Sequence, residues 1–229
     1  MAKWQWFNRD QQHELTSVAV IGMGRFGQAV AAELMSIGVD VLAIDRDKDV
    51  IETVSPTITH AVVADTTREE VLGQLGVDEM PVVVVAIGDS VEASVMTTSI
   101  LLSMGVPEIW AKAVSEVHGR ILTQLGVTHV VYPEKESGRR VAHLLQGAVK
   151  DYIDLGDGLA MVRTTPPACV LGTSIKEAHI RRRFGVTVIA CKRGDEPWQD
   201  VTGEAILSEG DQVLVTGPRA KAENFHRLD

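Results

Sequence analysis

Aromatic residues are scarce in this chain of 229 residues, at 4%, so its core must be built from Val, Ile, Leu and Ala. Cysteine is scarcer still. Cys169 and Cys191 stand alone, in no CxxC spacing, which argues against a zinc site or disulfide framework and for a reducing compartment. Basic charge is in deficit: 22 Lys and Arg face 31 Asp and Glu, for a net charge of −9. That is the wrong balance for neutralising phosphates along a nucleic acid, so no nucleic-acid partner is expected. Long apolar runs are missing too. Stretches such as Pro81–Ile87 are strand-length, far below the ~20 residues of a membrane span. The opening MAKWQWFNRDQQHEL has no apolar h-region, so no signal peptide is expected and a cytoplasmic location follows, with docking on a membrane protein still open.

What is present is a regular alternation. The runs Val18–Ile21, Val41–Ile44, Ala61–Ala64, Val82–Ile87, Ile109–Ala113 and Val127–Tyr132 read as strands. Helices are expected over Arg25–Ser36, Lys48–Val54, Arg68–Leu75, Val91–Met104 and Glu116–Leu125. Nearly all-apolar strands alternating with helices indicate an α/β fold: a Rossmann-like, doubly wound parallel sheet covered on both faces. An apolar residue, Gly and Val recur at helix ends, as in Leu75-Gly76-Val77 and Leu125-Gly126-Val127; a Gly there takes the left-handed cap at little cost. Residues 134–149 read as a crossover helix with Val141, Leu144, Leu145 and Ala148 on one side. Beyond it, shorter strands around one helix, Ser174–Phe184, describe a small α+β domain. The expected organisation is an N-terminal extension over 1–15, a nucleotide-binding domain over 16–133, the crossover helix, and a C-terminal domain over 150–229.

The motif richest in chemistry is Gly22-Met23-Gly24-Arg25-Phe26-Gly27, which follows a strand and opens a helix. Gly22 makes the tight turn, Gly24 lets the backbone approach a pyrophosphate, and Gly27 lets helix and strand pack closely. The helix N-terminus offers N–H groups to phosphate oxygens. Asp45 ends the second strand, where an acid receives ribose hydroxyls and disfavours a 2′-phosphate. Asp65 ends the third strand, within reach of an adenine amino group; Asp65 or Thr66 also reads as a cap for the next helix. Ala86, Ile87 and Gly88 end the fourth strand at the topological switch point, and Asp89 beyond them reads as a helix cap. Arg25 is a cation at a helix start, where the dipole disfavours it, so a terminal phosphate gripped by its guanidinium is the preferred explanation.

Together with Ile44-Asp45-Arg46-Asp47, Thr59–Thr66, Val85–Gly88, Ala111-Lys112-Ala113 and His129–Gly138, the glycine turn resembles an RCK (KTN) domain. Arg183–Ala190 is similar to the RCK C-terminal (TrkA-C) module, and the likeness spans roughly residues 16–218. It is strongest to KtrA-type cytosolic regulatory subunits of bacterial potassium uptake systems. The resemblance implies a non-enzymatic regulator: a homodimer assembling into an octameric ring beneath a potassium-transporting membrane subunit, with ATP and ADP stabilising different ring shapes. It also implies the roles. Gly22, Gly24 and Gly27, with Met23 and Phe26 in the same turn, hold phosphates; Asp45, with Arg46 beside it, holds the ribose; Asp65 and Thr66 lie at the adenine. Arg25 reaches the terminal phosphate of nucleotide in the neighbouring subunit. Lys112 lies near the phosphates, and Glu134 helps hold a divalent cation, magnesium or calcium, between paired nucleotides. Without the resemblance, Glu134 reads as a helix-start carboxylate and Lys112 as a strand-end lysine reaching solvent.

Some relatives bind cyclic di-AMP in the C-terminal module. Arg181 and Val188 fall at positions resembling that pocket, although Thr187 stands where binders carry Asn. Trp4, Trp6 and Phe7 crowd before the first strand, as an interface or as a tail. Two alternatives stand beside the ATP/ADP reading: an NAD(H)-binding redox sensor of potassium transport and an NAD-dependent oxidoreductase. Against the latter, His118 and His143 sit in expected helices with no accompanying acid/base constellation.

Overall fold

Valine-rich runs form the parallel strands of the first unit, which ends at Glu134. The computed structural model describes residues 15–145 and 149–228; Trp4, Trp6 and Phe7 lie outside the described residues. The elements alternate as β1 (Ser17–Ile21), α1 (Arg25–Ser36), β2 (Asp40–Asp45), α2 (Lys48–Val54), β3 (His60–Val63), α3 (Glu69–Gln74), β4 (Val82–Val85), α4 (Val91–Met104), β5 (Glu108–Lys112), α5 (Glu116–Leu125) and β6 (His129–Val131). The sheet order is β3-β2-β1-β4-β5-β6 and every pairing is parallel. The order reverses between β1 and β4, which opens a crevice at their carboxyl ends.

Both faces of the sheet are covered. Ala19, Ile21, Val83, Val85, Ile109 and Ala111 pack with Leu101 and Leu122 on one side, and Val18, Val20, Val41, Ala43 and Ala31 pack on the other. Each Val, Ile or Leu side chain among them contributes about 1.5–3 kcal/mol when fully buried, and this two-sided burial is why the strands carry almost no polar residues. Ser90 and Ser115 cap α4 and α5, and Gly105 and Gly126 close them in the left-handed region, at φ 81° and 100°. The expected glycine punctuation is therefore a set of helix stops.

α6 runs over Pro133–Leu144, shorter than the helix expected to reach residue 149; Val149 already begins β7. The second unit starts at Lys135 and contains β7 (Val149–Gly156), β8 (Leu159–Thr164), α7 (Ile175–Ala178), α8 (Ile180–Phe184), β9 (Thr187–Lys192), β10 (Gln199–Asp200), β11 (Gln212–Pro218) and α9 (Arg219–Asn224). Its strands form an antiparallel sheet, β10-β9-β11-β8-β7. Val162, Val213, Val215, Val188, Tyr152 and Phe225 fill its core. The single helix expected over Ser174–Phe184 is two helices. A capping box between Ser174 and Glu177 starts α7, and His179 then turns left-handed at φ 48° and ends it. Histidine is among the few residue types enriched in that region.

Candidate functional site

The switch-point crevice is a cleft of about 1060 Å³, lined from the ends of β1, β2, β3, β4 and β5. The glycine turn forms its floor. Gly22 has φ 94°, and a Cβ there would lie 2.9 Å from the Ile87 amide nitrogen. Gly27 is tighter: a Cβ would lie 2.0 Å from the Gly22 carbonyl oxygen, so α1 sits against the strand only because no side chain intervenes. Gly24 differs from both. It is the N-cap of α1 with no side chain capping it, and a Cβ there would meet nothing within 4 Å. The N-terminus of a 12-residue helix thus opens on the cleft with no side-chain cap and no acidic side chain in its first turn, the arrangement that receives an anion.

Asp45 fixes the turn from the neighbouring strand. Its Oδ2 accepts the Met23 amide at 2.6 Å and its Oδ1 accepts the Asp47 amide at 2.9 Å. Met23 itself is buried beneath the turn and Gly27 lies behind it, so these two shape the site from below. Arg25, Phe26, Asp45, Arg46, Asp65, Thr66, Ala86, Ile87, Gly88, Lys112 and Glu134 all line the cleft with Gly22 and Gly24. Sequence separations of up to 112 residues between Gly22 and Glu134 are thereby brought to one cavity.

Charged groups of both signs gather in two sets within the cleft. At one end the Asp65 Oδ1 accepts the Thr67 hydroxyl at 2.7 Å and the Thr67 amide at 3.0 Å. These bonds, helped by Arg68 and Arg46, hold its carboxyl below the ordinary aspartate range. Asp65 is therefore not a cap of α3, whose N-cap is Arg68, and Thr66 is buried in a hydrogen bond to Thr97 at 2.9 Å. Asp89 does not cap α4 either, since Ser90 does; Asp89 pairs with Arg46. At the other end Lys112 Nζ lies 2.7 Å from Glu134 Oε1 and 5.9 Å from the Phe26 ring centroid. That hydrogen bond, with the fields of Lys112 and Arg25, holds the Glu134 carboxyl below its usual value. Arg25 is exposed at the same end.

Neither histidine shares this cavity. His118 is buried, accepts the Val114 amide through Nδ1 at 3.3 Å, and is pushed toward its neutral form by burial. His143 stacks on Tyr152 in the second unit, at 4.0 Å between ring centroids. Arg181 and Val188 also belong to the second unit; Arg181 is exposed on α8, while the Val188 side chain is buried in the core. Sequence reasoning did not single out Asp89 as a partner of Arg46, nor Thr67 and Val114 as cleft residues. Asp89 alone carried a signal, as an acid just past a switch-point strand.

A family model for the TrkA-N domain matches residues 18–133, and one for the TrkA-C domain matches residues 159–228. This chain belongs to the TrkA-N/TrkA-C, or RCK, family. It is 33% identical over 210 residues to the Ktr system potassium uptake protein C of Bacillus subtilis (strain 168), covering 91% of this chain and 95% of that one. It is 36% identical over 207 residues to the Ktr system potassium uptake protein A of Vibrio alginolyticus, covering 90% and 94%. Among solved structures, the GsuK channel bound to NAD has a TM-score of 0.63 over 95% of this RCK chain and 40% of that chain, at 18% identity, which speaks to fold alone. GsuK bound to ADP has a TM-score of 0.50 at 25% identity, over 59% of this chain and 35% of that one. Among the described residues no helix is long and apolar enough to cross a membrane.

Proposed function

We propose that this RCK chain is the cytoplasmic, non-enzymatic regulatory subunit of a bacterial potassium uptake system, and that its cleft senses adenine nucleotide by distinguishing ATP from ADP. The observation that carries this reading is the uncapped α1 N-terminus opening on a cleft that Asp45, Arg25 and Lys112 line. The relatives named for potassium uptake and the ADP-bound neighbour support it. ATP carries one phosphate more than ADP, so cations near the phosphates meet the two ligands differently. Only such a differential affinity can bias a conformational equilibrium.

In the assembly proposed, this chain forms homodimers within an octameric ring on the membrane subunit, and Arg25 reaches nucleotide held by a neighbouring copy. Two polyphosphates brought close repel strongly, and a guanidinium between them offsets that repulsion. At the Lys112 end of the cleft a divalent cation would meet Glu134, which Lys112 already holds. Among the described residues no group of three His, Cys, Asp or Glu side chains is placed to hold a metal ion. The described residues of one chain thus do not build a cation site, and magnesium or calcium would need phosphate oxygens and further carboxylates to complete it. Cyclic di-AMP in the second unit would meet the Arg181 side chain but only the backbone of Val188; calorimetry showing no heat of binding would dismiss it.

Reconstitution with the potassium-transporting subunit in liposomes tests the main reading. Potassium flux should change when ADP is exchanged for ATP; flux indifferent to both nucleotides would overturn it. The NAD(H) reading is the second one, because an acid at the end of β2 suits the ribose of either ligand.

A further inference from the structure

The ion pair between Arg46 and Asp89 serves neither the core nor a helix end. Arg46 follows the last residue of β2, and Asp89 lies beyond the end of β4. Those strands flank β1 in the sheet, so their ends stand roughly 10 Å apart, two strand spacings. Arg46 Nη2 and Asp89 Oδ2 nevertheless meet at 2.5 Å, which places the pair over the end of β1 and its glycine turn. Both side chains line the cleft, and they are 64% and 65% exposed. Ion pairs so exposed contribute little to folding, so stability does not explain why two side chains reach across a crevice to each other.

We propose that the Arg46–Asp89 pair is a latch across the cleft that a purine base parts, taking over the Arg46 guanidinium as a stacking partner. This rests on the nucleotide reading above. A base attached to a ribose at Asp45, with Asp65 on one side of it and the β4 end on the other, occupies the line that joins Arg46 to Asp89, and the two cannot remain in contact around it. The exchange is cheap on both sides. Guanidinium stacks well on flat π faces; Arg46 remains in the field of Asp65 after leaving Asp89; and Asp89 returns to water. Specificity follows as well: a ligand carrying phosphates without a base has no means of opening the latch.

A double-mutant cycle tests this, with ADP as probe at fixed salt, read by calorimetry and by stopped-flow association. Asp89→Asn should tighten ADP about two- to fivefold, the range expected when an exposed ion pair no longer competes, mainly through faster association. Arg46→Ala should weaken ADP. In the Arg46→Ala background, Asp89→Asn should have a much smaller effect. Two results overturn the latch while leaving nucleotide binding intact: Asp89→Asn leaving ADP affinity unchanged or weaker, or tightening it equally in both backgrounds, which would mean simple removal of a negative charge. Wild-type protein binding none of ADP, ATP and NADH would overturn the nucleotide reading and the latch with it.

Discussion

The two units arrange their charged side chains differently. In the second unit, acids and bases satisfy each other. Asp211, 1% exposed, accepts Arg193 Nε and Nη2 at 2.9 Å each and the Ser208 amide at 2.8 Å. Asp154 takes Arg219 at 2.6 Å and the Gly156 amide at 3.1 Å, and Asp151 takes Arg140 at 2.9 Å. In the first unit, Arg25, Asp45, Arg46, Asp65, Lys112 and Glu134 converge on one cavity from four strand ends and the start of α6. Parallel strands end together at one edge, so whatever follows them collects there. Antiparallel strands alternate their ends, so charges disperse over the sheet and meet in separate pairs. Substitutions in the second unit should therefore move stability, and those at the cleft should move ligand affinity.

The largest effect should come where the two meet. Gly27→Ala forces a Cβ to within 2.0 Å of the Gly22 carbonyl, which must shift α1. We expect a loss of about 3 kcal/mol, the upper range for overpacking, seen as a lower melting temperature, together with loss of nucleotide binding. Asp211→Asn separates the two behaviours more sharply. It should cost about 2 kcal/mol, in line with hydrogen bonds to a charged group, while nucleotide affinity stays unchanged; altered affinity would break the comparison. Its pH signature is defined. Arg193 foremost, with the Ser208 amide, holds the Asp211 carboxyl below its ordinary range. The stability it contributes is complete above the unfolded aspartate value, about 4, and is lost as pH falls through the lower folded value. Acid denaturation curves of wild type and Asp211→Asn should converge on that descent.

Smaller effects belong to the cleft. Asp45→Ala should weaken ATP and ADP alike by about tenfold, or about 1.4 kcal/mol, and unchanged binding would remove the ribose assignment. Arg25→Ala should be the mildest, leaving the melting temperature alone and lowering ATP affinity a few-fold more than ADP affinity. Equal losses for both nucleotides would contradict its place at the terminal phosphate.

Much of this architecture was legible in the sequence because the first unit obeys local rules. Valine runs buried on two faces leave no ambiguity of period, and α1, α2, α4 and α5 begin and end where the glycines, serines and apolar positions indicate. The second unit was less readable. α9 carries only Ala222 as a buried anchor, with Phe225 just beyond it, too little for a helical period. The break at His179 is a left-handed turn with Arg183 donating to the Ala178 carbonyl at 3.3 Å, local backbone geometry that the spacing of apolar residues does not signal. In the cleft, strand-end positions pointed to which residues would gather. They did not reveal which would pair. Lys112 with Glu134 and Arg46 with Asp89 are bonds between distant segments, set by side-chain reach across strand spacings. For Asp65 and Thr66, the helix-cap alternative lost to an Asx-type turn and a buried threonine pair.

Competition among ATP, ADP and NADH for the wild-type chain tests the central claim most directly, with each ligand titrated against the others at fixed salt. The account predicts that ATP and ADP both bind, with different affinities, and that each displaces NADH. NADH holding the cleft against both nucleotides would contradict it.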